Sequence, residues 1–105
     1  MADAARDIPR LTAKEYLEIE NDGTLKHEFV NGIVYAMAGG SRRHNAISNA
    51  MLVALDSHLP DRCQVYSLDV KVHIQTRDEE QYFYPDVFVT CSELDNDAYS
   101  SNKPI

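Results

Sequence analysis

The chain has 105 residues, 44% of them hydrophobic, and a formal charge of −7. That length suits one small domain and that composition can form a core, while the acidity weighs against a module that grips nucleic acid through Lys and Arg on phosphates. A metal-dependent enzyme stays open, because its metal-binding carboxylates themselves count toward the negative charge.

Met1 to Arg10 carries Asp3, Arg6 and Asp7 and has no apolar run. It is expected as a flexible tail rather than a signal peptide, with the domain spanning 11–105. No stretch approaches the length of a membrane span, so no membrane contact and a cytoplasmic location are expected. Cys63 and Cys91, far apart in the chain, fit neither a zinc knuckle nor a disulfide-dense scaffold. They are expected as buried, reduced thiols on strands.

Thr12-Ala13-Lys14-Glu15 is a capping box, with Leu11 and Tyr16 at the two positions of a hydrophobic staple. A short helix follows, and Asn21-Asp22-Gly23 ends it. Next, Asn31-Gly32 joins the runs Leu25–Val30 and Ile33–Ala38 into a hairpin, because both turn residues tolerate positive φ. Leu25, His27 and Phe29 point to one side, and Lys26, Glu28 and Val30 to the other. Glu28 is then either half of a surface ion pair with Lys26 or a carboxylate aimed at a metal.

Gly39-Gly40-Ser41 leads into a second helix, about Arg42 to Leu59, with Ser41 as N-cap. Ile47, Met51, Ala54, Leu55 and His58 make an apolar stripe at helical spacing, with Leu52 and Leu59 beside it. Free amides at the helix start, together with Arg42, Arg43 and His44, are candidates for holding a phosphate oxygen; the bland alternative is two solvated arginines and a packed histidine.

Pro60-Asp61 ends that helix. A long strand or bent strand pair is expected over Cys63 to Thr76. Tyr66, Leu68, Val70, Val72 and Ile74 form its apolar face, and Val65, Ser67, Asp69, Lys71, His73 and Gln75 the other. The acidic turn Arg77–Gln81 closes a second hairpin, and Tyr82 to Cys91 runs back. Antiparallel pairing brings Asp69-Val70-Lys71 into the neighbourhood of Asp86. Ser92–Tyr99 offers a single helical turn, and Ser100–Pro104 reads as a connector.

Tyr84-Pro85-Asp86-Val87-Phe88-Val89 is a proline-led strand with one carboxylate beside the proline. This is the first half of a nuclease-type metal site, Pro-Asp … (Asp/Glu)-x-Lys, whose second half belongs on a following strand. Lys103-Pro104-Ile105 falls where such a strand would begin, so a truncated site is expected. Asp69-Val70-Lys71 is itself an Asp-x-Lys triplet that a permuted site could use.

Four blocks, Lys26–Ser41, His44-Asn45, Ser67–Val72 and Tyr84–Val87, resemble in order and spacing the Uma-two family of putative restriction endonucleases. The likeness covers nearly the whole chain. It implies an α+β, restriction-endonuclease-like fold: a mixed or antiparallel sheet flanked by helices, here without the last strand and helix. It also implies a metal-dependent DNA endonuclease using Mg²⁺ or Mn²⁺. Carried over residue by residue, Asp86 is the motif aspartate and a metal ligand, and Glu28 resembles a supporting acidic residue. Asp69 and Lys71 match the polar face of the strand before the motif, and the permuted site would use them as further ligand and catalytic lysine. His44 matches a histidine whose role the resemblance leaves open. Weak or absent catalysis is expected of the truncated chain, with DNA as partner if it is active. The alternative is a catalytically dead domain that forms homo-oligomers through an exposed strand edge at 86–91.

Overall fold

The computed structural model describes residues 10–23, 25–97 and 99–104. Among them run α1 (Ala13–Asp22), β1 (His27–Val30), β2 (Ile33–Ala36), α2 (Arg42–His58), β3 (Gln64–Ser67), β4 (Lys71–Gln75), β5 (Glu80–Phe83), β6 (Val87–Thr90) and β7 (Ser100–Ser101). The fold is α+β, with a five-stranded mixed sheet in the order β2-β1-β5-β4-β7 and a two-stranded sheet of β3 and β6, as the resemblance implies. Apart from Arg10, the tail expected over 1–10 lies outside the described residues.

The chain divides into two units, the first holding residues up to Ala38 and Ile74–Phe83, the second Gly39–His73 and the residues from Tyr84 on. In the first, the capping box forms in full: the Thr12 amide donates to Glu15 Oε1 at 2.9 Å and the Glu15 amide to Thr12 Oγ1 at 3.1 Å. This sets α1 so that Tyr16 meets Phe29 and Tyr82, with ring centroids 4.9 and 5.3 Å away. Leu11 packs against the same aromatic cluster, which is the staple expected from sequence. Glu20, its side chain 2% exposed, accepts from the His27 amide and lies 2.9 Å from His27 Nδ1, tying α1 to β1. The turn between β1 and β2 has φ of 51° at Asn31 and 82° at Gly32, with Val30 opposite Ile33. Positive φ at both central residues is what an Asn-Gly hairpin turn requires.

In the second unit, Ser41 caps α2 by accepting from the His44 amide at 3.0 Å. The helix meets β3 and β6. Its half-buried positions are Ser48, Leu52, Leu55 and Leu59, while Ile47 and Met51 are 58% and 52% exposed. The half-buried row shares Leu55 with the expected stripe and otherwise takes Leu52 and Leu59, which lie beside it. Both stripes satisfy the helical period, and contact with β3 and β6 selects the leucine row.

The single long strand expected over 63–76 is two strands. The Val70 amide donates to Ser67 O at 3.1 Å, and this turn separates β3 from β4. The turn resets the alternation, so on β3 it is Val65 that is buried and Tyr66 that is 37% exposed. The return strand is likewise split, β5 joining β1 and β6 joining β3, with Tyr84-Pro85-Asp86 between them. Proline has no N–H to give a ladder, which suits it to that break.

Cys63 and Cys91 form a disulfide, with Cα atoms 4.0 Å apart, so the expectation of reduced thiols is corrected. The cause is register: Gln64 faces Thr90 across the ladder, and the residues one step further out are the two cysteines. The connector expected at Ser100–Pro104 is also ordered. β7 runs parallel to β4, pairing Lys71 with Ser100 and Val72 with Ser101, and Thr90 bridges Pro104. Of the helical turn expected within 92–99, one hydrogen-bonded turn forms, the Asp95 amide donating to Ser92 O at 3.1 Å, and no helix follows among the described residues there.

Candidate active site

Asp86 stands at the junction where Pro85 interrupts the chain and β6 begins. Ser67 faces Val87 across the β3–β6 ladder, so Asp86 lies at the end of the ladder where β3 turns away. α2 contacts both of these strands, and His44 occupies its first turn, fixed through its amide by the Ser41 cap. The result is a direct approach: His44 Nε2 lies 2.9 Å from Asp86 Oδ2, with the two side chains 52% and 51% exposed. An imidazole nitrogen and a carboxylate oxygen thus converge at a surface that water and a ligand can reach.

Arg42 and Arg43 fill the first two positions of the same helix and are exposed. Asp69 is exposed in the turn that separates β3 from β4, whereas Lys71 opens β4 and is buried. The Asp-x-Lys triplet therefore does not present its two charged groups from one strand face. The Lys71 ammonium lies 5.7 Å from the centroid of the Tyr84 ring, in cation–π range. Glu28 belongs to the first unit, half-buried on β1 opposite Tyr35. Among the described residues, no group of three His, Cys, Asp or Glu side chains gathers closely enough to hold a metal ion.

A polar clasp lies at the other end of the second unit. The Asp95 carboxylate accepts from Thr90 Oγ1 at 2.6 Å, from the Asn102 amide at 3.0 Å and from Ser101 Oγ. Asp97 accepts from the amides of Tyr99 and Ser100 at 2.8 and 3.1 Å. Burial pushes the Asp95 carboxyl up, but the bonds from Ser101, Thr90, Asn102 and Lys103 outweigh it and hold it below the ordinary aspartate value. Asp97 is also held low, first by the Tyr99 amide and to a smaller extent by the Ser100 bonds and the nearby Lys71 charge. These residues anchor β7; they were missed in the sequence because Ser92–Lys103 has no hydrophobic period to mark it.

An α+β scaffold with a Pro-Asp carboxylate at a strand start is consistent with a restriction-endonuclease-like fold. The chain matches the Uma2 family, described as "putative restriction endonuclease", over residues 13–104, and belongs to that family. It is similar to uncharacterized protein slr1290 of Synechocystis sp., 38% identical over 89 residues that cover 84% of this chain and 46% of that protein. It is also similar to uncharacterized protein sll1609 of the same organism, 35% identical over 98 residues, 90% of this chain and 54% of that protein. The chain thus spans about half the length of these curated relatives. No solved structure matches it significantly. No helix among the described residues is long and apolar enough to cross a membrane.

Proposed function

We propose that this domain supports metal-dependent hydrolysis of DNA phosphodiesters, with Asp86 as the carboxylate ligand of Mg²⁺ or Mn²⁺. The placement of Asp86 carries the proposal: it matches the aspartate of the Pro-Asp motif by resemblance, and it is half-exposed with a second donor atom beside it. A divalent ion of this kind needs one or two protein ligands, and water and substrate phosphate complete its shell. When bound, it polarises a phosphoryl oxygen and makes a water more acidic. The chain's own residues hold and orient around that point. Arg42, Arg43 and the free amides at the start of α2 offer positive charge to a phosphate oxygen. Lys71, buried against Tyr84, supports the fold next to β7 rather than reaching outward. Glu28 and Asp69 remain candidates for supporting roles, Asp69 from the turn beside the β3–β6 ladder. Cytoplasmic DNA is the substrate this activity would meet.

The test is nicking of supercoiled plasmid with Mg²⁺ or Mn²⁺, which Asp86→Ala abolishes if the proposal holds. A second reading is a homo-oligomerising domain without catalysis, which would use the outer edge of β6. β6 pairs with β3 in a sheet of only two strands, and outside that ladder Thr90 bridges Pro104. Association through the 86–91 edge would appear as a dimer in native mass spectrometry, and a monomer at high concentration would remove it.

A further inference from the structure

We infer that His44 is the second protein ligand of the ion held by Asp86, making a mixed nitrogen–oxygen site that prefers a first-row transition ion such as Mn²⁺ to Mg²⁺. The inference rests on the reading of Asp86 as a metal ligand and adds to it the nitrogen donor and the metal class.

The geometry points first to shared coordination. Two donors about 2.1 Å from one ion and at right angles around it stand about 3 Å apart, whereas tetrahedral donors stand about 3.4 Å apart. His44 Nε2 and Asp86 Oδ2 are separated by 2.9 Å, the length of a direct hydrogen bond and equally the spacing of adjacent octahedral donors. The atom presented is also the right one. Nε2 is the far nitrogen of the ring, the one that a side chain held at its base can project to a ligand.

Stability offers little reason for the pair. An ion pair with both partners half-exposed gains little in water. Ser41 fixes the His44 amide, and Gly40 leaves room beside the imidazole, where a methyl group would stand 3.2 Å from His44 Cδ2.

Metal preference follows from the donors. Mg²⁺ takes oxygen ligands almost exclusively and sheds its waters reluctantly. Imidazole suits the first-row transition ions, whose affinity for nitrogen donors rises from Mn²⁺ onward. Neutral imidazole adds no charge to a neighbourhood that already holds Arg42 and Arg43, so an ion held by His44 and Asp86 keeps its attraction for phosphate.

Mn²⁺ is the probe. Binding is followed by the loss of the free-ion electron spin resonance signal for wild type, His44→Ala and Asp86→Ala, each checked for fold by circular dichroism. Electron spin echo spectra of the bound ion then report ¹⁴N coupling from a ligated imidazole. Expected are one bound Mn²⁺ with ¹⁴N modulation in the wild type, loss of that modulation in His44→Ala, and at least tenfold weaker Mn²⁺ binding in both variants. Mg²⁺ should displace Mn²⁺ poorly from the wild type and more readily from His44→Ala. Mn²⁺ bound equally well by wild type and His44→Ala, bound without ¹⁴N coupling, or not bound at all would overturn the inference. The two readings separate: nicking retained without ¹⁴N coupling sinks the ligand role of His44 alone, and ¹⁴N coupling without nicking by any metal sinks the hydrolase alone.

Discussion

Gly40 leaves the space that the ring of His44 borders: a methyl group at Gly40 would stand 3.2 Å from His44 Cδ2, whereas one at Gly39 would meet nothing within 4 Å. Two adjacent glycines therefore have different sensitivities. Gly40→Ala should displace the imidazole by a few tenths of an ångström and shift its NMR resonances. Misplacement at a reacting centre is costly, and a loss of up to about tenfold in metal-dependent nicking is expected. Gly39→Ala should leave both unchanged. Equal effects of the two substitutions would mean that the His44 position does not depend on this contact.

The Cys63–Cys91 disulfide closes a loop with a sequence separation of 28. A cross-link of that span stabilises by roughly 2–4 kcal/mol, mainly by restricting the unfolded chain. Reductant, or the double substitution Cys63→Ser with Cys91→Ser, should lower the melting temperature accordingly. Thiol titration of the unfolded, unreduced protein should find no free thiol. A melting temperature indifferent to reductant would contradict this part of the structure. In a reducing cytoplasm the lower value is the one that would apply.

The acid clasp gives a pH dependence with a definite sign. Asp95 and Asp97 are both held below the ordinary aspartate value of 3.8, so in acid the unfolded chain binds more protons than the folded one. Their contribution is complete above the unfolded value and drains as pH falls through it and on past the folded values. Hydrogen exchange at the Ser100 and Asn102 amides should accelerate below about pH 4, and Asp95→Asn should blunt that response. An exchange rate that follows only the intrinsic pH trend would remove the clasp as an anchor of β7.

Glu20 is the corresponding tie in the first unit. Its carboxylate meets both the amide and the Nδ1 atom of His27 while nearly fully buried. Glu20→Ala removes both partners at once, and leaving polar groups of that kind unsatisfied costs about 1–3 kcal/mol. Glu20→Gln, which keeps a carbonyl acceptor, should cost less. Denaturant midpoints for the two variants check the order, and a cost in Glu20→Ala no larger than in Glu20→Gln would count against it.

What the sequence made legible was local. The Thr12–Glu15 box, the Asn31-Gly32 turn and the Ser41 cap each depend on residues within four positions, and each forms as expected. Choices made by distant contacts were not legible. Ile47–Met51 and Leu52–Leu55–Leu59 are both regular stripes on α2, and only contact with β3 and β6 decides between them. The turn at Leu68–Val70 lacks Gly and Pro, and the apolar alternation runs through it without a visible break. The cysteines could be paired only once the register of β3 and β6 was known. At the site, the Pro85-Asp86 motif was readable because proline and carboxylate adjoin. The approach of His44 joins a helix start to a strand start, and no spacing in the chain encodes it.

The most direct measurement is the rate of supercoiled-plasmid nicking by wild type and Asp86→Ala, with Mg²⁺, with Mn²⁺ and with chelator. Asp86 as a metal-holding carboxylate requires nicking that depends on the ion, is stopped by chelator and falls at least about a hundredfold in Asp86→Ala. Metal-dependent nicking of equal rate in wild type and Asp86→Ala, or no nicking by the wild type with either ion, would contradict the proposed function.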